Sequence, residues 1–194
     1  NRHSQDLSAS YVETMPYFEL TEIFLRRIIG NNKFTVSSLP RLRDELFSKW
    51  AASFLQSDIS GVVGFPNCSL EVFKKVKNNH SNACLAIEQP IGHYSYAQEI
   101  FEEEMQLHPA FADSVTFATH SPRFQARVDE ELSISTHIFA GSNFVKSTLV
   151  NAGYEPQKIY VNNYGSIYPF ETTHRTSSSG PLRILFVGQV SQRK

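Results

Sequence analysis

The chain has 194 residues, 41% of them hydrophobic and 12% aromatic, which at roughly 150 residues per domain supports one full domain and a remnant of a second and excludes overall disorder. Eighteen Lys and Arg against nineteen Asp and Glu leave a net charge of -1 and a pI near 6.7, so no basic field exists to hold a nucleic-acid backbone, and nucleic acid is not an expected partner. The two cysteines fit a reducing compartment, and the lack of Cys/His clusters at ligand spacing argues against a metal site.

Residues 1–18 read as a polar arm punctuated by Met15-Pro16, with neither the apolar core of a signal peptide nor a run long enough to span a membrane. Phe18, Leu20, Ile23, Phe24, Ile28 and Ile29 recur at three- and four-residue steps and predict an amphipathic helix ended by Gly30-Asn31-Asn32. A second helix is expected after Pro40, with Leu42, Leu46, Phe47, Trp50, Phe54 and Leu55 on one face and a stop at Ser57-Asp58. Strand and helix patterns then alternate: strand 59–65, helix 69–77, strand 83–87, helix 94–107, strand 133–140, helix from the Ser142 cap to Asn151-Ala152-Gly153, and strand 159–162. Such alternation implies right-handed crossovers and a parallel sheet. The polar stretch ETTHRTSSSGP (171–181) reads as a linker, and LRILFVG (182–188) restarts as a buried strand. With no initiator Met and an end at Gln192-Arg193-Lys194 just after that strand, the chain is expected to be a piece of a longer protein.

The succession AGSNFVKSTLVNAGYEPQKIYVNNYGSIYPF (140–170), linker, LRILFVGQVSQRK resembles the domain junction of family-4 retaining glycosyltransferases. The shared features are a Ser/Lys-bearing helix closed by Gly, a Lys-Ile-x-Val strand, an Asn-x-Gly turn leading to Phe170, and an apolar strand that in the family ends in Val-Gly-Arg followed by Lys-Gly. The likeness is close over residues 133–194; 58–77 and 83–104 resemble, in register, acceptor-domain units of a bacterial branch, and 1–57 add little.

The resemblance implies an α/β fold, a Rossmann-like doubly wound parallel sheet that is incomplete here, as the N-terminal domain of a GT-B architecture. Residues 1–170 would be the acceptor-side domain, without the family's glycine-rich first strand, 171–181 the interdomain linker, and 182–194 the start of the nucleotide-sugar-binding domain. The implied reaction moves a sugar, with retention, from a nucleoside-diphosphate sugar to a hydroxyl of a glycan or lipid-linked acceptor. The nucleotide sugar is a co-substrate, and no metal or other cofactor is implied. The expected location is cytoplasmic, including peripheral contact with the inner face of a membrane. The family's Glu-x7-Glu motif would lie beyond Lys194, so the chain alone is expected to be inactive. Two other classes fit the same alternation: a non-catalytic Rossmann-like binding module, and a GT-B nucleotide-sugar 2-epimerase, which needs no acceptor.

In relatives the Arg and Lys of the Val-Gly-Arg motif bind the donor diphosphate; the matching positions here are Gln189 and Lys194, beside Gly188. Gln189 donates hydrogen bonds but brings no charge, which leaves Lys194 as the stronger diphosphate ligand. Where many relatives carry a His at the end of the strand matched by 83–87, Glu88 stands, and His93 five residues on is the residue to fill that space. Glu88 and His93 are the candidate catalytic residues: a carboxylate at a strand's carboxyl end can bind a sugar hydroxyl or act as a base, or else cap a loop or helix, and the alternative for His93 is a surface or turn residue after Gly92.

Other clusters read as structural. Glu99, Glu102, Glu103 and Glu104 form a solvated helix face, His137 inside an apolar strand reads as a core residue, and Cys68 and Cys84 lack an adjacent base. Arg26, Arg27, Arg41, Arg43, Lys49, Lys74, Lys75 and Lys77 read as solvated faces, with contact to anionic lipid as the alternative.

Overall fold

A computed structural model describes residues 11–30, 34–56, 58–80, 82–115 and 121–165. Four strands, Gly61–Gly64 (β1), Cys84–Gln89 (β2), His137–Ala140 (β3) and Ile159–Val161 (β4), form one parallel sheet in the order β1-β2-β3-β4, flanked by helices. The fold is α/β and Rossmann-like, an incomplete form of that arrangement, as the alternation of patterns predicts. The register of the first pair runs from Gly61 opposite Cys84 to Gly64 opposite Ile87.

Six α-helices lie among the described residues: Pro16–Ile29 (α1), Leu39–Ser53 (α2), Leu70–Asn79 (α3), Tyr94–Leu107 (α4), Pro122–Ile134 (α5) and Asn143–Asn151 (α6). α4 has the predicted limits, and α5 has no counterpart among the predicted elements. Its first turn is set by Pro122 and by the Ser121 hydroxyl, which accepts from the Phe124 N–H. Because α5 runs to Ile134, β3 is shorter than the strand expected from Ser133. A turn of π-helix, Phe34–Ser38, leads into α2.

The chain divides into two compact units. The first comprises Asn1–Glu88 with Ser121–Ile138. Its core joins Phe73 and Val76 of α3, Leu85 to Ile87 of β2, Val128 and Leu132 of α5, and Ile138. Gly64 is required where β1 meets α3, because a Cβ there would run into Ser69 Oγ and lie 3.1 Å from the Phe73 ring. α1 has the predicted apolar period but the opposite orientation. Glu22 is buried and paired with Arg26 and Arg43 at 2.7 and 2.8 Å, while Leu20, Ile23, Phe24 and Ile28 face solvent. Arg26 and Arg43 are therefore ion-pair partners rather than members of a solvated basic face.

The second unit comprises Gln89–His120 with Phe139–Lys194. Val145, Thr148 and Leu149 form the buried face of α6, with Ala140 and Ile159 of the strands also buried. Both ends of α6 follow the sequence. The Ser142 hydroxyl accepts from the Val145 N–H at 3.2 Å, and Gly153, at φ 94°, closes the helix with Gly153 N–H to Val150 O and Tyr154 N–H to Leu149 O. That pair of bonds is the Schellman pattern, whose left-handed position favours glycine. Lys146 donates to the Ile159 carbonyl at 2.7 Å and ties α6 to β4.

Candidate functional site

In parallel α/β sheets ligands bind at the carboxyl ends of strands, favoured at a reversal of strand order. The order β1-β2-β3-β4 contains no reversal among the described strands, so the candidate site is defined by its strand-end loops. Within the second unit, β2 ends at Gln89, and Pro90-Ile91-Gly92 leads into α4. His93 caps α4: its Nδ1 accepts from the Ser95 N–H at 3.4 Å and lies 2.8 Å from Ser95 Oγ. The acceptor role of Nδ1 places the proton of the neutral ring on Nε2. The His93 backbone N–H donates to Thr148 Oγ1 at 2.9 Å, and Thr148 in turn donates to the Val145 carbonyl. Gly92 lets the loop lie on α6, since a Cβ there would stand 3.3 Å from Thr148 Cγ2.

His93 is only 3% exposed, with its ring centroid 4.2 Å from that of Tyr94 and 5.6 Å from that of Tyr154. His93 is therefore a turn residue after Gly92 but not a surface one: its ring packs on those of Tyr94 and Tyr154. Gln89 is 5% exposed; its Nε2 donates to the Ile91 carbonyl at 2.8 Å, and its Oε1 accepts no hydrogen bond from a described residue. Tyr96 and Phe144 meet edge to face nearby in the chain fold of this unit, and Gly141 lies against Tyr164, whose ring a Cβ would approach to 2.7 Å. The loop from Gln89 to Ser95 thus brings carboxamide, imidazole and hydroxyl groups together in an aromatic setting, donors and acceptors of the kind that hydroxyl-rich ligands meet.

The loop after β1, in the first unit, differs in charge. Here Glu131 of α5, fully buried, accepts from the N–H groups of Asn67 and Ser69, both at 2.7 Å. Arg127 binds Glu71 through two bonds of 2.6 Å and donates its Nε–H to the Asn67 carbonyl. Burial works against ionisation of Glu71, but its hydrogen bonds, led by those from Arg127, hold its carboxyl at about 2. Burial pushes Glu131 above the usual carboxylate range, against the pull of its two N–H donors. Burial also pushes the Cys68 thiol up to about 11. The backbone donors that could cradle a phosphate at this loop are already filled by a carboxylate of the chain itself.

Glu88 lies within β2, half-buried, and caps no described helix; that role falls to His93. The two candidate catalytic residues belong to different units, Glu88 to the first and His93 to the second. Gly188, Gln189 and Lys194, with the linker 171–181 and the strand 182–188, lie outside the described residues. Glu99, Glu102 and Glu103 are exposed on α4, and among the described residues no three His, Cys, Asp or Glu are grouped to hold a metal ion. Two readings are corrected together: His137 is half-buried rather than core, and its Nδ1 lies 3.3 Å from Sγ of the exposed Cys84, so Cys84 does have an adjacent base.

The network of Glu71, Arg127 and Glu131 went unread in the sequence, although Arg127 and Glu131 stand four apart, the spacing that shares one helix face. Comparison with protein-family models, with curated proteins and with solved structures finds no match to this chain. Among the described residues, no helix is long and apolar enough to cross a membrane.

Proposed function

We propose that the chain is the acceptor-side part of a retaining glycosyltransferase, which transfers a sugar from a nucleoside-diphosphate sugar to a hydroxyl acceptor. The observation that carries this reading is the end of β2, where Gln89 Oε1 is buried and accepts nothing from the described residues, beside the aromatic-lined His93. A buried acceptor without a donor is costly, and a sugar hydroxyl is a donor of the right kind to complete it. Sugar C–H faces also pack on aromatic rings such as those of Phe144 and Tyr164, both exposed.

In this reading the protein's task is positioning. Gln89 and the loop to His93 orient the acceptor hydroxyl, and Lys194 with Gln189 and Gly188 offsets the charge of the departing diphosphate. In the retaining chemistry of the family, the acceptor proton passes to the leaving phosphate oxygen, so no dedicated protein base is needed. The exposed apolar face of α1, with Leu20, Ile23, Phe24 and Ile28, supports a lipid-linked acceptor and a peripheral position on a membrane.

Amide chemical-shift mapping of the isotopically labelled chain tests the proposal. Methyl glycosides are expected to shift the signals of Gln89 to Tyr94, with the response lost in Gln89→Leu, and nucleoside-diphosphate sugars to shift those of Gln189 and Lys194, with weaker binding in Lys194→Ala. Silence toward both ligand classes overturns it, and conversion of a nucleotide sugar to its C2 epimer without acceptor selects the epimerase instead.

A further inference from the structure

At the amino end of the sheet, within the first unit, Cys84 opens β2 and His137 opens β3. Three features converge there. The Cys84 thiol is exposed, and Sγ lies 3.3 Å from His137 Nδ1. Thr136 Oγ1 stands 2.9 Å from the same nitrogen and is itself anchored to the Leu85 backbone, accepting from its N–H at 2.9 Å and donating to its carbonyl at 3.1 Å. On the neighbouring strand, the residue paired with Cys84 is Gly61, where any Cβ would stand 3.1 Å from Cys84 Cβ, so the absence of a side chain leaves the thiol uncrowded.

We propose that Cys84 and His137 form a reactive thiol–imidazole pair that exchanges with small disulfides, making Cys84 a site of reversible S-thiolation. The thiol proton passes to His137 Nδ1, and the imidazolium so formed can donate to Thr136 Oγ1, whose hydroxyl has the Leu85 carbonyl at 3.1 Å and Cys84 Sγ at 3.8 Å as its two acceptors. The Cys84 thiolate attacks one sulfur of the incoming disulfide; a new S–S bond forms as the old one breaks, and the departing thiolate takes the proton from the imidazolium. Electrons balance without a further oxidant, because the small disulfide is itself reduced to one thiol and one protein-bound half. Only the thiolate is nucleophilic, which is why a base at hydrogen-bond distance matters. Cys68 supplies the internal contrast: it is half-buried in the loop after β1, and its sulfur lies 3.4 Å from the Phe65 carbonyl. The pair is independent of the glycosyltransferase reading, which assigns nothing at this end of the sheet.

The test is the release of chromophore from an aromatic disulfide, 5,5′-dithiobis(2-nitrobenzoate), by the full chain at pH 7. The expected result is one fast equivalent per chain, lost in Cys84→Ser and kept in Cys68→Ser, reacting at least about tenfold faster than the thiols of the urea-unfolded chain. In His137→Asn the fast phase is expected to slow by about tenfold, a conservative share of what a positioned base contributes. Incubation with glutathione disulfide should add one glutathionyl mass to the peptide carrying Cys84. A native Cys84 no faster than the unfolded thiols overturns the proposal without reference to any variant, and so does an unchanged rate in folded His137→Asn.

Discussion

Arg127 and Glu71 meet through two bonds of 2.6 Å, and Arg127 also donates to the Asn67 carbonyl of the loop that Glu131 holds. Glu71 is held at about 2 against an ordinary 4.5, so the folded state favours its carboxylate more than the unfolded state does. Its contribution is complete above about pH 4.5 and is lost as pH falls toward 2. Glu131 acts in the opposite sense: with its carboxyl raised, the folded state takes up a proton more readily than the unfolded one, and stability falls as pH rises through that raised value. Arg127→Ala leaves Glu71 half-buried without its guanidinium and is expected to cost about 2 kcal/mol at pH 7. Urea unfolding at pH 7 and pH 3 checks this: the variant should lose less stability than the parent between the two. At this scale the sequence exposed residue types but not partners. His93 could be singled out by its place after Gly92, whereas Thr148, which fixes its backbone, lies 55 residues further on.

Elements were legible where their ends carry local chemistry. α4 and α6 have the expected limits because Gly92-His93, Ser142 and Gly153 act within a few residues of themselves. α5 escaped because its buried face interleaves Val128 and Leu132 with Glu131, a charge in the apolar stripe whose neutralising contacts come from Asn67 and Ser69. For α1 the period was legible and the orientation was not, since Arg43 reaches Glu22 from α2 and draws the polar side inward. The Ser142 cap offers the direct check on local control: Ser142→Ala leaves the Val145 N–H without its side-chain acceptor and is expected to lower stability by about 1 kcal/mol, measured by urea unfolding.

For the whole molecule, the fold class followed from alternation alone, because parallel strands need crossovers and this chain supplies a helix between successive strands. The candidate site did not, since strand order depends on pairings that no local pattern encodes. Net charge and the exposed face of α1 combine at this scale. A chain of net charge -1 with a pI near 6.7 has little electrostatic repulsion near neutrality to offset contact through Leu20, Ile23, Phe24 and Ile28. Light scattering is therefore expected to peak near pH 6.7 and to fall in Phe24→Glu, which places a charge in that face. A flat scattering profile identical in the variant would show that α1 plays no part in association.

The carboxylate of Glu131 on the N–H groups of Asn67 and Ser69 also makes the loop after β1 a receptor supplied with its own tethered ligand. Folding brings the two together at an effective concentration that is commonly millimolar or higher for linked partners. A dissolved phosphate would have to displace a group that cannot diffuse away. Any anion handled by this protein is thus directed elsewhere, and the loop is reserved for architecture by competition rather than by shape.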